Sequence, residues 1–246
     1  MHGIAAGTRT ALVLAAFLFL AAIPEAHPGT PVLSADTLRL SGFSTFYPEY
    51  GKPPVYPVHG VLVRQDDTLY IKVEATFGDQ KPIAQVVLKD RYSWQDDYVL
   101  VIIDPEGTRM DGYEFGLNSI GTTYDAIITN VNRVSNAWNG NWKGKASMDS
   151  TFWIAEFWIP LKGLVRGTVD SIGINIIRGF IRRPSGVYEA VSLVPLEPGA
   201  SQGPDMRFTE RVPFEVSGSC AQLSGYGLPY VRAELLKSID LSLIHI

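Results

Sequence analysis

Short runs rich in β-branched and aromatic residues recur along this chain roughly every 8 to 12 residues, and no segment sustains an apolar period of 3.6. Each run is bounded by Gly, Pro, Asn, Asp or Ser. That pattern restricts the chain to an all-β architecture, an antiparallel β-sandwich of two sheets in the immunoglobulin-like or jelly-roll-like manner. Tyr98 to Ile103 is apolar at every position, which predicts a central strand covered on both faces. Pro105-Glu106-Gly107 supplies the turn after it, because Pro presets φ and Gly accepts a positive φ. Gly112 to Asn118 then alternates, with Tyr113, Phe115 and Leu117 on one face and Glu114 and Asn118 on the other.

Further strands are expected at Val58 to Arg64, Thr68 to Phe77, Tyr124 to Val131, Trp142 to Ser147, Phe152 to Ile159, Ile172 to Phe180 and Val187 to Val194. One more is expected near Leu38 to Phe46 and another within Arg207 to Val216. Ile83 to Leu88 is a further short apolar run, and Asn132 to Asn141 reads as a loop.

The two ends read differently. Arg9 precedes an uncharged apolar segment, Ala11 to Ile23, shorter than the roughly 20 residues that cross a bilayer and of the length of a secretory signal. Residues 1–26 are therefore expected to be a signal peptide, 27–39 a linker, 40–216 the sandwich and 217–246 an irregular tail. The protein is expected to be exported, to the periplasm, the outer membrane or the extracellular space. The last residues, Leu241 to Ile246, look like a translated sequencing adapter, so the coding sequence is expected to continue into a further domain.

Composition removes several function classes. The net charge of −4 with 19% charged residues gives no basic footprint for nucleic acid. Cys220 is the only cysteine, which leaves no disulfide framework and no thiolate metal site. Of four histidines only His59 lies inside the expected domain, and nucleotide-loop and zinc-protease motifs are missing. The acids are scattered, which disfavours a glycosidase, although a glycoside hydrolase fragment is kept as an alternative.

Three groups of residues remain as candidates. Asp104, Asp111 and Glu114 flank one turn and offer oxygen ligands for calcium. Glu156 and Arg178 are lone charges in apolar strands, and each needs a partner, so they are expected to form a structural ion pair. Trp138 and Trp142 lie in SNAWNGNWKG, where rings beside amides suit sugars: C–H faces stack on rings and hydroxyls bond to amides. Trp153 and Trp158, five apart in one strand, point to opposite faces.

The segments WQDDYVLVIIDPE, DGYEFGLNSIGTTYDA, FWIAEFWIPLKGL and IGINIIRGFIRR, in this order, resemble the family 9 carbohydrate-binding modules. The likeness is greatest to the version at the N-terminus of Gram-negative proteins that continue into an outer-membrane β-barrel. The resemblance implies a non-catalytic module that binds a polysaccharide or oligosaccharide, with a membrane β-barrel of the same polypeptide as a further partner. It also implies that Trp94 is a stacking tryptophan and that Asn118 contacts the sugar. Leu100 stands where those modules carry a binding glutamate and Gly116 where they carry an arginine. The loop from Gln202 to Asp205 lacks their second stacking tryptophan. Those departures point to the rival expectation, a structural or gating domain of a barrel protein without glycan affinity.

Overall fold

In a computed structural model, the structure describes residues 37–91, 96–166, 171–182, 187–198 and 205–213. The expected signal segment, Trp94, the loop 201–204 and the expected tail from residue 217 lie outside these. The described strands are β1 (Leu38–Leu40), β2 (Ser44–Tyr47), β3 (Val58–Gln65), β4 (Thr68–Thr76), β5 (Tyr98–Asp104), β6 (Gly112–Asn118) and β7 (Thr123–Thr129). They continue with β8 (Arg133–Ser135), β9 (Lys143–Met148), β10 (Phe152–Pro160), β11 (Ser171–Arg182), β12 (Val187–Ser192) and β13 (Glu210–Pro213). The only helical turn among the described residues is 3₁₀, at Met206–Phe208, where the Asp205 side chain accepts from the backbone N–H of Arg207.

Two antiparallel sheets form the sandwich. The five-stranded sheet runs β1-β3-β4-β10-β9; the larger sheet runs β2-β12-β11-β5-β6-β7-β8. β13 pairs with the first residues of β11, while β12 pairs with the last ones, so one long strand serves two short partners along the same edge.

Alternation along each strand decides what goes between the sheets. Val99, Val101 and Ile103 of β5 point inward with Phe115, Leu117, Ile174 and Ile176, and meet Ile71, Val73, Trp153, Ala155 and Phe157 of the opposite sheet. Each such side chain, fully buried, contributes about 1.5–3 kcal/mol relative to leaving it in water. The intervening residues Tyr98, Leu100 and Ile102 do not face solvent. They form a second cluster with Phe46, Tyr124, Ile128, Ile177, Leu196 and Met206, so the larger sheet is covered on both faces. This is why every residue of β5 is buried and why its sequence is a continuous apolar run.

The run Ile83–Leu88 is irregular backbone, with Val87 and Leu88 exposed. It is docked through its amides: Gln85 and Val86 N–H donate to Asp96 at 2.8 and 3.1 Å, and the Ile83 N–H donates to Asp97. Carboxylates at the start of β5 take the place of a neighbouring strand.

Candidate functional site

The strand register gathers the residues of interest at one end of the larger sheet. Tyr98 pairs with Asn118 and Leu100 with Gly116, while Gly116 pairs in turn with Tyr124. Around them lies a small hollow lined by Arg91, Asp96, Tyr98, Asn118, Thr122 and Tyr124, among others, with a volume of about 20 Å³. That is room for about one water molecule and far less than a sugar ring requires.

The floor of the hollow is closed for a steric reason. A Cβ on Gly116 would come within 2.7 Å of Leu100 Cδ2, because the leucine lies across the glycine. Asn118 at the edge is fully engaged. Its Nδ2 donates to Val86 O at 2.8 Å and to Asp96 Oδ2 at 3.0 Å, and its Oδ1 accepts from Ile120 and Thr122 N–H. It fastens the 83–88 segment to the β6–β7 turn. The exposed Arg91 borders the hollow, and the exposed Val87, Leu88 and Ile120 belong to the segments that Asn118 joins.

Trp138 and Trp142 sit in the connection from β8 to β9, which carries the chain from one sheet to the other. Neither stands free in the loop: both are half-buried and packed on the inter-sheet core. Trp142 stacks on Phe157, with ring centroids 5.8 Å apart and planes at 14°, and Trp138 lies 4.8 Å from Tyr113. Although the loop is rich in Asn and Gly, the two indoles pack on Tyr113, Phe115 and Phe157. Asp125, wholly buried, sets their position. It accepts from Gly140 N–H at 3.1 Å and Trp142 Nε1 at 2.9 Å, and Lys89 Nζ lies 3.1 Å away. Burial pulls the Lys89 pKa down, but bonds to Asp90 and Asp125 outweigh it and the net direction is up.

The acids around the first hairpin point to separate partners. Asp104 turns both oxygens into its own turn, accepting from the N–H groups of Gly107, Thr108 and Arg109 at 2.7, 3.2 and 2.8 Å. Asp111 is exposed and accepts from Asn130 N–H. Glu114 is buried on the outer face, where burial raises its pKa to about 8 against the opposing pull of a hydrogen bond with Tyr124. Among the described residues no group of three or more His, Cys, Asp or Glu side chains converges to hold a metal ion. Asp104, Asp111 and Glu114, expected to offer calcium ligands, do not converge, and the turn's own amides occupy Asp104.

Glu156 and Arg178 do not pair, which corrects the expected bridge. They belong to different sheets and point away from one another. Glu156 faces outward from β10 and accepts from Tyr70 OH at 2.8 Å. Arg178 points into the sandwich and donates to the carbonyls of Tyr56 and Thr76 at 3.3 and 2.6 Å, with Phe180 beneath its guanidinium at 4.9 Å. Burial lowers its pKa to about 10, opposed by the charges of Asp97 and Glu189. Each isolated charge did need a partner, but a tyrosine and a pair of carbonyls supply it.

Sequence reasoning missed the roles of Asp96, Asp97 and Asp125. The signal was present, since an acid at a strand start or mid-strand in an apolar context has to be bonded; the donors, however, come from distant loops.

No family model and no curated protein matches the chain. Solved structures do share its fold. A candidate carbohydrate-binding protein from Bacteroides uniformis superposes with a TM-score of 0.54 at 17% identity, over 73% of this chain and 86% of that one. A family 9 carbohydrate-binding module from Caldicellulosiruptor kristjanssonii, in complex with glucose, gives a TM-score of 0.49 at 11% identity, over 77% of this chain and 94% of that one. The same kind of module from that organism, in complex with cellotriose, gives 0.49 at 13%, over 81% and 96%. At these identities the likeness is one of fold alone: the chain shares a two-sheet β-sandwich with the first of these structures.

Proposed function

We propose that the protein is an exported, non-catalytic recognition module that binds an oligosaccharide at the β5–β6 end of its larger sheet. The observation that carries this reading is the register Tyr98–Asn118 and Leu100–Gly116, which gathers Arg91, Asp96 and Asn118 at one hollow beside the start of β5. The sequence resemblance makes Trp94 and Asn118 sugar-contacting residues, Asn118 lies at this end, and the fold shared with carbohydrate-binding modules agrees with the reading. Because the hollow holds only about one water, the ligand rests on its rim, and among the described residues Arg91 is the exposed cationic donor there. The absence of catalysis is supported by the acids: Asp96, Asp97, Asp104 and Asp125 are buried and committed to backbone amides. Carboxylates so held do not stand across a cleft as an acid–base pair.

A second reading has its own observation. Leu100 fills the floor over Gly116, and Asn118 has spent its amide on the loop, which suits a structural or gating domain joined to a membrane barrel.

The test is binding of the wild-type domain and Trp94→Ala to a glycan array, with urea denaturation of both. We expect a bound glycan, several-fold weaker binding for the variant from a lost stacking contribution of about 0.5–1.5 kcal/mol, and little change in stability. A wild-type domain that binds nothing on the array moves the conclusion to the structural reading. A variant destabilised by about 3–5 kcal/mol makes Trp94 a core residue.

A further inference from the structure

The polar groups that line the hollow at the start of β5 are almost all spent inside the protein. Asp96, 2% exposed, accepts the Gln85 N–H on Oδ1, and the Val86 N–H and Asn118 Nδ2 on Oδ2. Thr122 donates its hydroxyl to Val86 O at 2.8 Å, Tyr98 OH is bonded to Tyr188 OH, and Tyr124 is hydrogen-bonded to Glu114. Arg91 is the exception. It lines the hollow and is exposed, and its guanidinium makes no hydrogen bond or ion pair with another described residue.

The acids near it are already engaged. Lys89 Nζ lies 2.8 Å from Asp90 and 3.1 Å from Asp125 and donates to Asn139 at 2.7 Å, so a different cation serves those two carboxylates. An apolar surface adjoins Arg91. Val87, Leu88 and Ile120 are 73%, 61% and 56% exposed, and they lie on the two segments that Asn118 and Thr122 tie together through Val86 O. The Arg91 N–H donates to Leu88 O at 3.3 Å, closing the turn that sets the cation beside these side chains. Neutral sugars are read chiefly by bonds from hydroxyls to amides and carboxylates, and here those groups are occupied. A guanidinium is a planar fork that matches an oxyanion with two parallel bonds.

We propose that this rim selects an acidic oligosaccharide, one whose rings carry a carboxylate or a sulfate ester, and that Arg91 is the specificity-determining residue. The proposal rests on the oligosaccharide-binding reading above and names the ligand class of that same site. The anionic group pairs with the Arg91 guanidinium, while C–H faces of the chain lie on Val87, Leu88 and Ile120. The hollow, at about 20 Å³, admits no ring, so the chain lies across the rim. A pair so exposed is screened by salt, and affinity should fall as salt rises.

The experiment is calorimetric titration of wild type, Arg91→Gln, Arg91→Lys and Trp94→Ala with trigalacturonate and its methyl ester. Circular dichroism of each protein and a wild-type array of neutral, uronate-bearing and sulfated glycans accompany it. We expect trigalacturonate to bind, the neutral ester to bind about tenfold more weakly or worse, and Arg91→Gln to lose a similar factor on the acid. Arg91→Lys should lose less, since it keeps the charge without the fork. Arg91 is exposed, so its variants should keep the fold. Sulfated glycans bound in preference to uronates identify the anion as a sulfate ester, and the Arg91→Gln loss must then appear on them. Equal binding of acid and ester, or acid binding that Arg91→Gln retains in full while Trp94→Ala loses it, overturns this inference and leaves the module reading standing. A wild type that takes only neutral glycans on the array does the same. No binding on the array overturns both.

Discussion

Glu114 gives the most discriminating perturbation. Its carboxyl is 2% exposed on the outer face of the larger sheet, between Ile102 of β5 and Ala126 of β7. Burial raises its pKa from 4.5 to about 8, and the Tyr124 hydrogen bond recovers only part of that. The unfolded chain ionises this group near 4.5, while the folded chain holds the proton until about 8. Folding thus takes up a proton between these values, and the stability that the neutral form contributes is complete below 4.5 and falls as pH rises toward 8. At roughly 1.4 kcal/mol per pH unit the whole interval is worth about 5 kcal/mol, and the part below neutrality about 3 kcal/mol. Glu114→Gln keeps the shape and a carbonyl acceptor for Tyr124 while removing the ionisation. Urea denaturation of both proteins at pH 5, 6, 7 and 8 isolates this group, since the other titrations cancel in the difference. The variant should gain on the wild type steadily across the series, by up to about 3 kcal/mol at neutrality less about 1 kcal/mol for an imperfect amide contact. A difference that stays flat with pH would refute the burial argument.

Two other outcomes follow from the anchoring acids. Asp104→Ala leaves three turn amides without their acceptor and should cost about 1–3 kcal/mol in denaturation, with Asp104→Asn losing less. Asp125→Ala releases Gly140 N–H, Trp142 Nε1 and Lys89 together, and should red-shift the tryptophan emission as the 136–142 loop loosens; an unchanged spectrum would mean that ring packing alone holds the indoles.

The all-β class and most of the strands could be read directly from the sequence, because alternation and turn residues are local properties of the chain. Strand alternation alone puts Ile174, Ile176 and Arg178 on one face of β11 and Trp153 and Trp158 on opposite faces of β10. What lies against each face is not local. Periodicity shows that Arg178 points one way; only the stacking of the sheets decides that this way is inward, toward the Tyr56 and Thr76 carbonyls and away from Glu156. The same holds for Trp138 and Trp142, which a glycine-rich loop suggests are exposed but which pack on Tyr113, Phe115 and Phe157. For the acids at the start of β5, sequence showed charge beside an apolar strand. Tertiary structure alone supplied their donors, amides of a segment ten or more residues away, because satisfying a buried carboxylate depends on which loops the fold brings within hydrogen-bond reach.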